Sequence, residues 1–446
     1  MANRRGRSAL AAGTVLCAVL AGCTTTDPGG PEPSTSPSPS SSTSTTADPA
    51  SLTLGVYGPE GGLAAYDDLA RAFEDAHPGA EVKVERFDDA EEVVAAVAGD
   101  DAPDVFLMDH DHLPGLVAEQ LVQPVDELLE ARDLNFGDGY QRGGLTAFAS
   151  DAALQCMPHD VSPLVVYYNQ DLVDLSTLVV DGEEPPTPLD GWTWEQFSLA
   201  AHRAARGPAH GLYIDPSLTS LAPFVWSVGG EIVDDPQDPT TLTLSGDAAR
   251  EALVQVLALV RDPQVTPTTG QLDRVDAVTR FARGRLGMIL GTRALTPVFR
   301  EAKDLRFDVM PLPRLARSRT VADMTGYCIS AGTDEVEASA DLLAFAVGRE
   351  GATITTRDGY VVPSNLEVAN SPVFVQGSRE PESSFVFNEG VRRTQNMPFT
   401  PAWPLLVDEV APALNRMFHA PVIDLDSLLT EIDTTSARVL APEESE

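Results

Sequence analysis

The chain has 446 residues, of which 43% are hydrophobic and 22% are charged, proportions typical of a soluble globular protein. This length exceeds one compact core and predicts two or three domains, while the composition excludes a wholly disordered chain and a polytopic membrane protein. The formal net charge of -37 repels phosphates and anionic lipid headgroups, which argues against nucleic-acid binding and electrostatic membrane docking.

The N-terminus predicts a lipoprotein signal peptide over residues 1–22. Three arginines precede an apolar run from Ala9 to Ala21, which is too short to span a bilayer as a mature helix. The run ends in Leu20-Ala21-Gly22-Cys23, a string that resembles the bacterial lipobox, in which the cysteine sulfur receives a diacylglycerol. An ordinary secretory signal is the alternative. On the lipobox interpretation, Cys23 anchors the protein at the outer face of the cytoplasmic membrane.

Residues 23–50 predict a lipidated cysteine followed by a disordered tether. From Thr24 to Ala50 almost every residue is Ser, Thr, Pro, Asp or Gly, so the segment has little to bury in a core. A coil of this length spans roughly 30 Å on average, which holds a domain clear of the membrane.

The folded part begins as an alternation of strands and helices. The apolar run from Leu52 to Tyr57 predicts a strand, and the helix after it is predicted to end at His77-Pro78-Gly79. A strand at 80–84, a helix at 91–98 and a buried strand at 104–108 follow. This order predicts an open α/β sheet of parallel strands with crossover helices, and a ligand crevice at the carboxyl ends of the strands.

A second α/β region follows. Residues 164–168 and 211–214 predict strands, and Thr193 with Gln196 forms the capping-box pattern that begins a helix. Residues 245–262 predict an amphipathic helix capped by Ser245. Short strands at 286–290 and 307–310 and a helix at 334–347 come next, and the last hundred residues are predicted to be mostly helical.

Two cysteines remain once the N-terminus is processed, because Cys17 leaves with the signal peptide and Cys23 carries lipid. The remaining pair, Cys156 and Cys328, would lie in an oxidising compartment, which allows a disulfide between them. Two buried free thiols are the alternative.

A series of different short motifs follows in order along residues 51–440. They are His77-Pro78-Gly79, Ala102-Pro103-Asp104-Val105, Met157-Pro158-His159-Asp160, the stretch from Val166 to Leu172, Thr193-Trp194-Glu195-Gln196-Phe197, Trp226-Ser227-Val228-Gly229-Gly230, the stretch from Phe281 to Met288, and the stretch from Gly359 to Asn365. Each is weak alone. In this order and spacing they resemble the bacterial extracellular solute-binding proteins of family 1, the group that contains maltose-binding protein.

The resemblance implies an α/β fold of two lobes, joined by hinge strands and separated by a ligand-binding cleft. On this pattern, lobe 1 comprises residues 51–157 and 327–380, and lobe 2 comprises residues 158–326 and 381–440. Cys156 and Cys328 then lie on hinge-crossing strands, where a disulfide would restrain hinge motion. The implied function is the capture of a small polar solute, a mono- or oligosaccharide, by a monomer that delivers it to ABC permease subunits without a cofactor.

Five candidate ligand contacts follow the first and third strands. Tyr57, Gly58 and Glu60 lie where a strand ends and a helix begins, a place where backbone amides and short polar groups meet ligands; a plain turn is the alternative. Asp109 and Asp111 match the family's acidic loop, where a carboxylate accepts hydrogen bonds from sugar hydroxyls. The string from Asp109 to His112 also contains metal-ligand types, but adjacent side chains diverge, so we expect no metal.

The other candidates come from later segments. Trp226 and Trp403 are candidate platforms for the C–H faces of sugar rings, with burial in the core as the alternative. Arg293 lies at a turn where many family members carry a tryptophan, so it pairs either with an anionic ligand group or with an internal acid. Asp160 and Tyr327 complete the set as hinge or cleft groups.

Functions of three classes fit these residues. The chain has no GxSxG, HExxH, GxxxxGK[ST] or GxGxxG motif, which favours a binding protein over an enzyme. A surface sensor or adhesin that uses the same cleft is one alternative, and a glycosidase that uses a pair of carboxylates is another. The mechanism that the resemblance implies is closure of the two lobes around the solute.

Overall fold

A computed structural model describes residues 50–441 of the chain, except 100, 135 and 181. The predicted signal peptide at 1–22, the lipidated Cys23 and almost all of the predicted tether lie outside the described residues. Ala50, the last residue assigned to the tether, begins the first strand instead.

The first sheet confirms the predicted alternation of strands and helices. β1 (Ala50–Val56) pairs in parallel with β2 (Ala80–Arg86) and β3 (Val105–Asp109), so the carboxyl ends of the three strands share one edge. β12 (Ala322–Ser330) runs antiparallel to β3 and also pairs with β4 (Val122–Gln123). The resulting order is β2-β1-β3-β12-β4.

The first two helices form where the sequence spacing predicts them. α1 (Glu60–Ala76) buries one face, which includes Leu69 and Phe73, and it ends before Gly79, whose φ of +105° suits glycine. α2 (Ala90–Val97) is capped by Asp89, which accepts a hydrogen bond from the Glu92 N–H. Short elements complete this region: α3 (Leu113–Ala118), α4 (Asp126–Glu130), α5 (Phe136–Gly139), α6 (Arg142–Ala147), β5 (Ala149–Ser150) and β6 (Ala153–Leu154).

The second sheet has the order β11-β8-β10-β9. β8 (Val165–Asn169) is antiparallel to both β10 (Leu286–Gly291) and β11 (Phe307–Met310), whereas β9 (His210–Tyr213) is parallel to β10. Gly211 permits close packing here, because a Cβ atom would overlap the backbone of Ala201 in the covering helix.

The helices around the second sheet include one confirmed cap and one wrong one. α7 (Trp194–Ala204) begins with the predicted capping box, in which Thr193 and Gln196 exchange hydrogen bonds. α9 (Asp247–Val260) begins after Gly246, so the predicted Ser245 cap is wrong; the Ser245 N–H donates to the Asp433 carboxylate instead. The others are α8 (Leu218–Ser227), α10 (Thr269–Leu272), α11 (Ala277–Ala282) and α12 (Leu295–Arg300).

The predicted helical character of the last hundred residues is confirmed. The elements there are α13 (Val336–Val347), α14 (Arg349–Thr356), α15 (Leu366–Ala369), α16 (Pro372–Val375), α17 (Phe385–Val391), α18 (Trp403–His419) and α19 (Leu425–Leu440). No helix in the described part of the chain combines the length and the apolar character that a membrane span needs.

A sixth strand of the first sheet connects it to the second sheet. β7 (Met157–Pro163) pairs antiparallel with β12 and leads directly into β8 of the second sheet. The stretch 360–364 lies along the other edge of β7. There the Val161 N–H donates to the Val362 carbonyl and the Ser364 N–H donates to the His159 carbonyl, each at 2.9 Å. The hinge region is therefore one hydrogen-bonded set of strands.

A disulfide joins Cys156 and Cys328, whose Cα atoms are 4.4 Å apart. Both residues are fully buried, next to the point where Met157 of β7 pairs with Tyr327 of β12. The bond thus ties the two crossing strands together at the end that belongs to the first sheet.

Two apolar clusters fill the interior. One surrounds the first sheet and reaches, through Phe374 and Phe387, the face of the second sheet that carries Tyr167 and Phe307. The other packs α7, α8, α9, α18 and α19 on the opposite face of the second sheet. The fold is thus α/β with two lobes, and the lobes are in apolar contact beside the hinge.

Candidate functional site

A cavity of about 230 Å³ lies between the carboxyl ends of the first sheet and the second lobe. Tyr57 follows β1, Asp109 ends β3, and His110 and Asp111 follow β3. Residues 321–325 form the floor, and Thr219 of α8 and Met397 complete the lining. Because parallel strands end at one edge, the loops after β1 and β3 converge on a single site.

The carboxylate of Asp109 is fixed by two neighbours. His112 donates from Nδ1 at 2.8 Å and from its backbone N–H at 2.9 Å, and the Tyr57 hydroxyl donates at 3.2 Å. Burial raises the pKa of Asp109, but the His112 hydrogen bond and charge outweigh it and leave the pKa below its usual value. The same hydrogen bond raises the pKa of His112, which favours its protonated form opposite the Asp109 carboxylate.

Asp111 is held much less firmly. Its nearest basic group is the neighbouring His110, with 3.4 Å between Nδ1 and Oδ1, close to the limit for a hydrogen bond. His110 is itself buried in the cavity wall. Within the described part of the chain, no three His, Cys, Asp or Glu side chains are grouped so as to hold a metal ion.

Asp323 of β12 brings a third carboxylate to the cavity. Its side chain is open to the cavity space, although protein surrounds it on the other sides. This surrounding raises the pKa of Asp323 to about 6; the charges of Asp111 and Asp109 raise it further, and Thr292 opposes the shift. The floor therefore carries a negative charge at neutral pH with little to compensate it.

Gly58, between β1 and α1, and Glu60, the first residue of α1, are exposed and do not line the cavity. The φ of +135° at Gly58 lets the chain turn from the strand into the helix. Glu60 lies in the first turn of α1, where a negative charge suits the helix dipole. Ligand contact by these two residues stays a prediction.

Asp160 lies inside the hinge rather than in the cavity wall. Its Oδ1 accepts hydrogen bonds from the Ser162 hydroxyl and the Val362 N–H, both at 2.7 Å. Burial raises the pKa of Asp160 to about 8, so the carboxyl is mostly protonated at neutral pH. The residue therefore joins β7 to the stretch 360–364.

Replacing Asp160 by asparagine should change how stability depends on pH. The native pKa of about 8 exceeds the unfolded value of about 3.9, so between these values the native state holds a proton that the unfolded state lacks. Stability must fall as pH rises through this range. Asparagine keeps the acceptor oxygen, so Asp160→Asn should remove up to about 1.4 kcal/mol of this decline per pH unit. Parallel curves from urea unfolding of both proteins at pH 5 to 8 would contradict this assignment.

Neither predicted aromatic platform lines the cavity. Trp226 of α8 is 3% exposed and Trp403, the first residue of α18, is 1% exposed; both belong to the apolar cluster of the second lobe. Among the described residues, the Trp226 indole N–H has no hydrogen-bond partner. The structure gives both rings a packing role and lends no support to stacking on a ligand.

Arg293 is completely buried and forms hydrogen bonds with residues that are distant in sequence. Its guanidinium donates to the Gly359 and Phe374 carbonyls and the Ser384 hydroxyl, each at 3.2 Å. The Phe374 and Phe387 rings lie 4.8 and 5.0 Å from its central carbon. Within the described chain it forms no ion pair, so the predicted bridge to an internal acid is wrong. It does not line the cavity either.

Tyr327 is fully buried in β12, and its hydroxyl has no partner among the described residues. Its ring lies against His159 of β7, with 5.0 Å between the ring centres. The position fits the predicted hinge location, and a direct role in the cleft stays a prediction.

Sequence reasoning missed Asp323, Thr219, Met324 and Met397 as cavity residues. Asp323 lies four residues before Tyr327, which the sequence assigns to the hinge or cleft, and a carboxylate on that strand is the signal that could have identified it. Thr219 and Met397 carry no such signal, because their contribution depends on how the second lobe faces the first.

The family model for bacterial extracellular solute-binding proteins matches residues 68–379. No curated protein matches the chain in sequence. Among solved structures, an ABC substrate-binding protein of Listeria monocytogenes in complex with cycloalternan is 20% identical, with a TM-score of 0.76, covering 88% of this chain and 99% of that one.

Two further structures have the same fold. The sugar-binding protein MalE of Xanthomonas citri is 16% identical, with a TM-score of 0.75, covering 88% of this chain and 98% of that chain. The GacH receptor of Streptomyces glaucescens, studied with acarbose, is 18% identical, with a TM-score of 0.69 and coverage of 89% and 100%. At identities of 16 to 20%, these structures establish the fold alone. The family model establishes the family, because it matches most of the chain. The chain therefore belongs to the family of bacterial extracellular solute-binding proteins.

Proposed function

We propose that the chain is a lipid-anchored, carbohydrate-binding protein that delivers its solute to an ABC importer. The observation that carries the proposal is the cavity of about 230 Å³, whose walls come from both lobes and whose polar groups follow β1 and β3. Carboxylate oxygens there suit hydroxyl donors of a sugar. The complexes of similar structures with cycloalternan and acarbose support a carbohydrate as the solute.

The solute is bound by closure of lobe 1 (51–157 and 327–380) and lobe 2 (158–326 and 381–440). The two separate sheets, with β7 of the first leading directly into β8 of the second, support this division. Ligand that touches both lobes favours the closed form, which the permease subunits recognise. The radius of gyration of the purified monomer in small-angle scattering should fall when ligand is added. An unchanged radius at saturating ligand would contradict closure.

A thermal-shift screen of the full-length protein against neutral, basic and acidic mono- and oligosaccharides tests the solute class. A ligand at 100 times its Kd adds about 2.7 kcal/mol of stability, which raises Tm by a measurable amount. Asp111→Ala should abolish the increase, because it removes an acceptor from the cavity. Asp75→Ala is the matched control, because Asp75 is exposed at the far end of α1. The absence of any shift across the screen would contradict a carbohydrate-binding function.

The membrane anchor depends on the thiol of Cys23. Cys23→Ser should abolish incorporation of labelled palmitate and move the protein from the membrane fraction to the medium or the soluble fraction, because no acyl chain can be attached. Cys17→Ser is the control, since that residue lies before the cleavage site. Membrane retention of the Cys23 variant would contradict lipid anchoring.

Carboxyl groups with different pKa values, such as Asp323 and Asp109, are also what a glycoside hydrolase uses. The family membership favours binding without turnover. Incubation with chromogenic glycosides and with the sugars that raise Tm should release no product. Turnover that Asp323→Asn abolishes would instead assign the protein to the enzymes.

A further inference from the structure

The charges that line the cavity are all of one sign except for histidine. Asp109, Asp111 and Asp323 each contribute a carboxylate, and no arginine or lysine is among the lining residues. Only Asp109 has a close basic partner, His112, at 2.8 Å. In the described chain Asp323 forms no ion pair, and Asp111 has only the 3.4 Å contact with His110.

Among the described residues, no arginine or lysine forms an ion pair with Asp109, Asp111 or Asp323. Arg293 was predicted to pair with an anionic ligand group or an internal acid. Its guanidinium instead donates to the Gly359 and Phe374 carbonyls and the Ser384 hydroxyl. An anionic solute would therefore enter an already negative cavity without a counter-charge. A cation would instead relieve the mutual repulsion of Asp111 and Asp323.

We propose that the natural solute of this cleft is a hydroxyl-bearing molecule that carries a protonated amine, and that the cleft rejects anionic sugars. This inference rests on the proposed function and narrows its solute class. The amine lies between Asp111 and Asp323, where it makes charge-assisted hydrogen bonds. The Tyr57 ring offers a face for the cation or for sugar C–H groups, and Met324 and Met397 contact the apolar side of the solute.

The preference for an amine should increase with pH. Asp323, with a pKa of about 6, gains its charge between pH 5 and 7. His112, opposite Asp109 and 3.6 Å from Glu91, loses positive charge as pH rises. Asp160, behind the floor, also ionises only at higher pH. All of these changes make the cavity more negative, so the amine affinity should rise from pH 5 to 7.5 while the neutral-sugar affinity stays nearly constant.

Three matched sets of sugars test the proposal: neutral sugars, their amino-deoxy counterparts and their uronic acids, such as glucose, glucosamine and glucuronic acid with their disaccharides. Thermal shift first identifies which sugar skeleton binds. Calorimetry on the full-length protein then measures Kd for the neutral, amino-deoxy and uronic-acid forms of that skeleton. We expect the amino sugar to bind about tenfold or more tightly than the neutral one, and the acid to bind most weakly.

Two variants locate the preference. Asp323→Asn and Asp111→Asn should each reduce the ratio of amino-sugar to neutral-sugar affinity by about tenfold, with the neutral sugar little affected. Asp75→Asn makes the same charge change on the surface and should leave the ratio unchanged. Two different variants guard against a folding defect in either one.

The outcomes separate this inference from the function it rests on. Equal or tighter binding of neutral sugars, with a ratio that neither variant changes, overturns the charge preference and leaves carbohydrate binding intact. Binding of simple diamines without any sugar refutes the carbohydrate assignment and the hydroxyl-bearing scaffold. Failure of all three sets overturns both proposals.

Discussion

Replacing Arg293 by alanine should lower the free energy of unfolding by about 3–5 kcal/mol. The change removes a completely buried guanidinium and leaves the Gly359 and Phe374 carbonyls and the Ser384 hydroxyl without their donor. It also empties the space between the Phe374 and Phe387 rings. Arg293→Lys should lose less stability than Arg293→Ala, because a lysine fills part of the space. Some loss remains, because its single ammonium group cannot reach three separated acceptors.

Urea unfolding followed by circular dichroism measures this effect. Arg142→Ala is the control, because the Arg142 side chain is 85% exposed, and its loss should cost less than about 0.5 kcal/mol. The folded Arg293→Ala protein should bind its solute with unchanged affinity, since Arg293 does not line the cavity. A large loss of affinity together with a small loss of stability would instead place Arg293 at the ligand.

Loss of the disulfide should reduce stability by about 2–5 kcal/mol. The Cys156–Cys328 bond joins positions 172 residues apart, and closing so long a loop restricts the unfolded chain strongly. Both cysteines are fully buried, so a double replacement by alanine also leaves a small cavity. The effect should be seen both in the double variant and in the wild-type protein after unfolding in a reductant.

The reductant provides the matched control. Tm of the wild-type protein should fall when the bond is reduced, whereas Tm of Cys156→Ala/Cys328→Ala should be the same with and without reductant. Thiol titration of the unfolded wild-type protein should find both cysteines blocked before reduction. Two reactive thiols in the untreated protein, after lipidation of Cys23, would contradict the bond.

The sequence predicted the parts of the site that follow from local pattern. Tyr57, Asp109 and Asp111 could be predicted because each lies at or just after the carboxyl end of a parallel strand, and strand direction decides which loops meet. The capping box could be predicted because its two residues, Thr193 and Gln196, are only three positions apart. In each case the controlling contacts are close in sequence or are set by a general rule of α/β sheets.

The remaining residues depend on distant contacts. Trp226 and Trp403 have the composition of a sugar platform, but the second lobe uses their surface in its own core. Arg293 finds its acceptors 66 to 91 residues away, a distance over which the sequence gives no pattern. Asp323 reaches the cavity because β12 is antiparallel to β3 and starts beside the loop after it, with Thr325 paired to Asp109.

The hydrogen-bonded set of strands in the hinge limits how the lobes can move. β7 is bonded to β12 on one edge and to the stretch 360–364 on the other. Sliding one lobe along the other would break backbone hydrogen bonds on both edges of β7, at a cost for each one. A rotation that bends these segments together can keep those hydrogen bonds. We therefore expect the proposed closure of the lobes to be a rotation about one axis across β7, and not a translation along it.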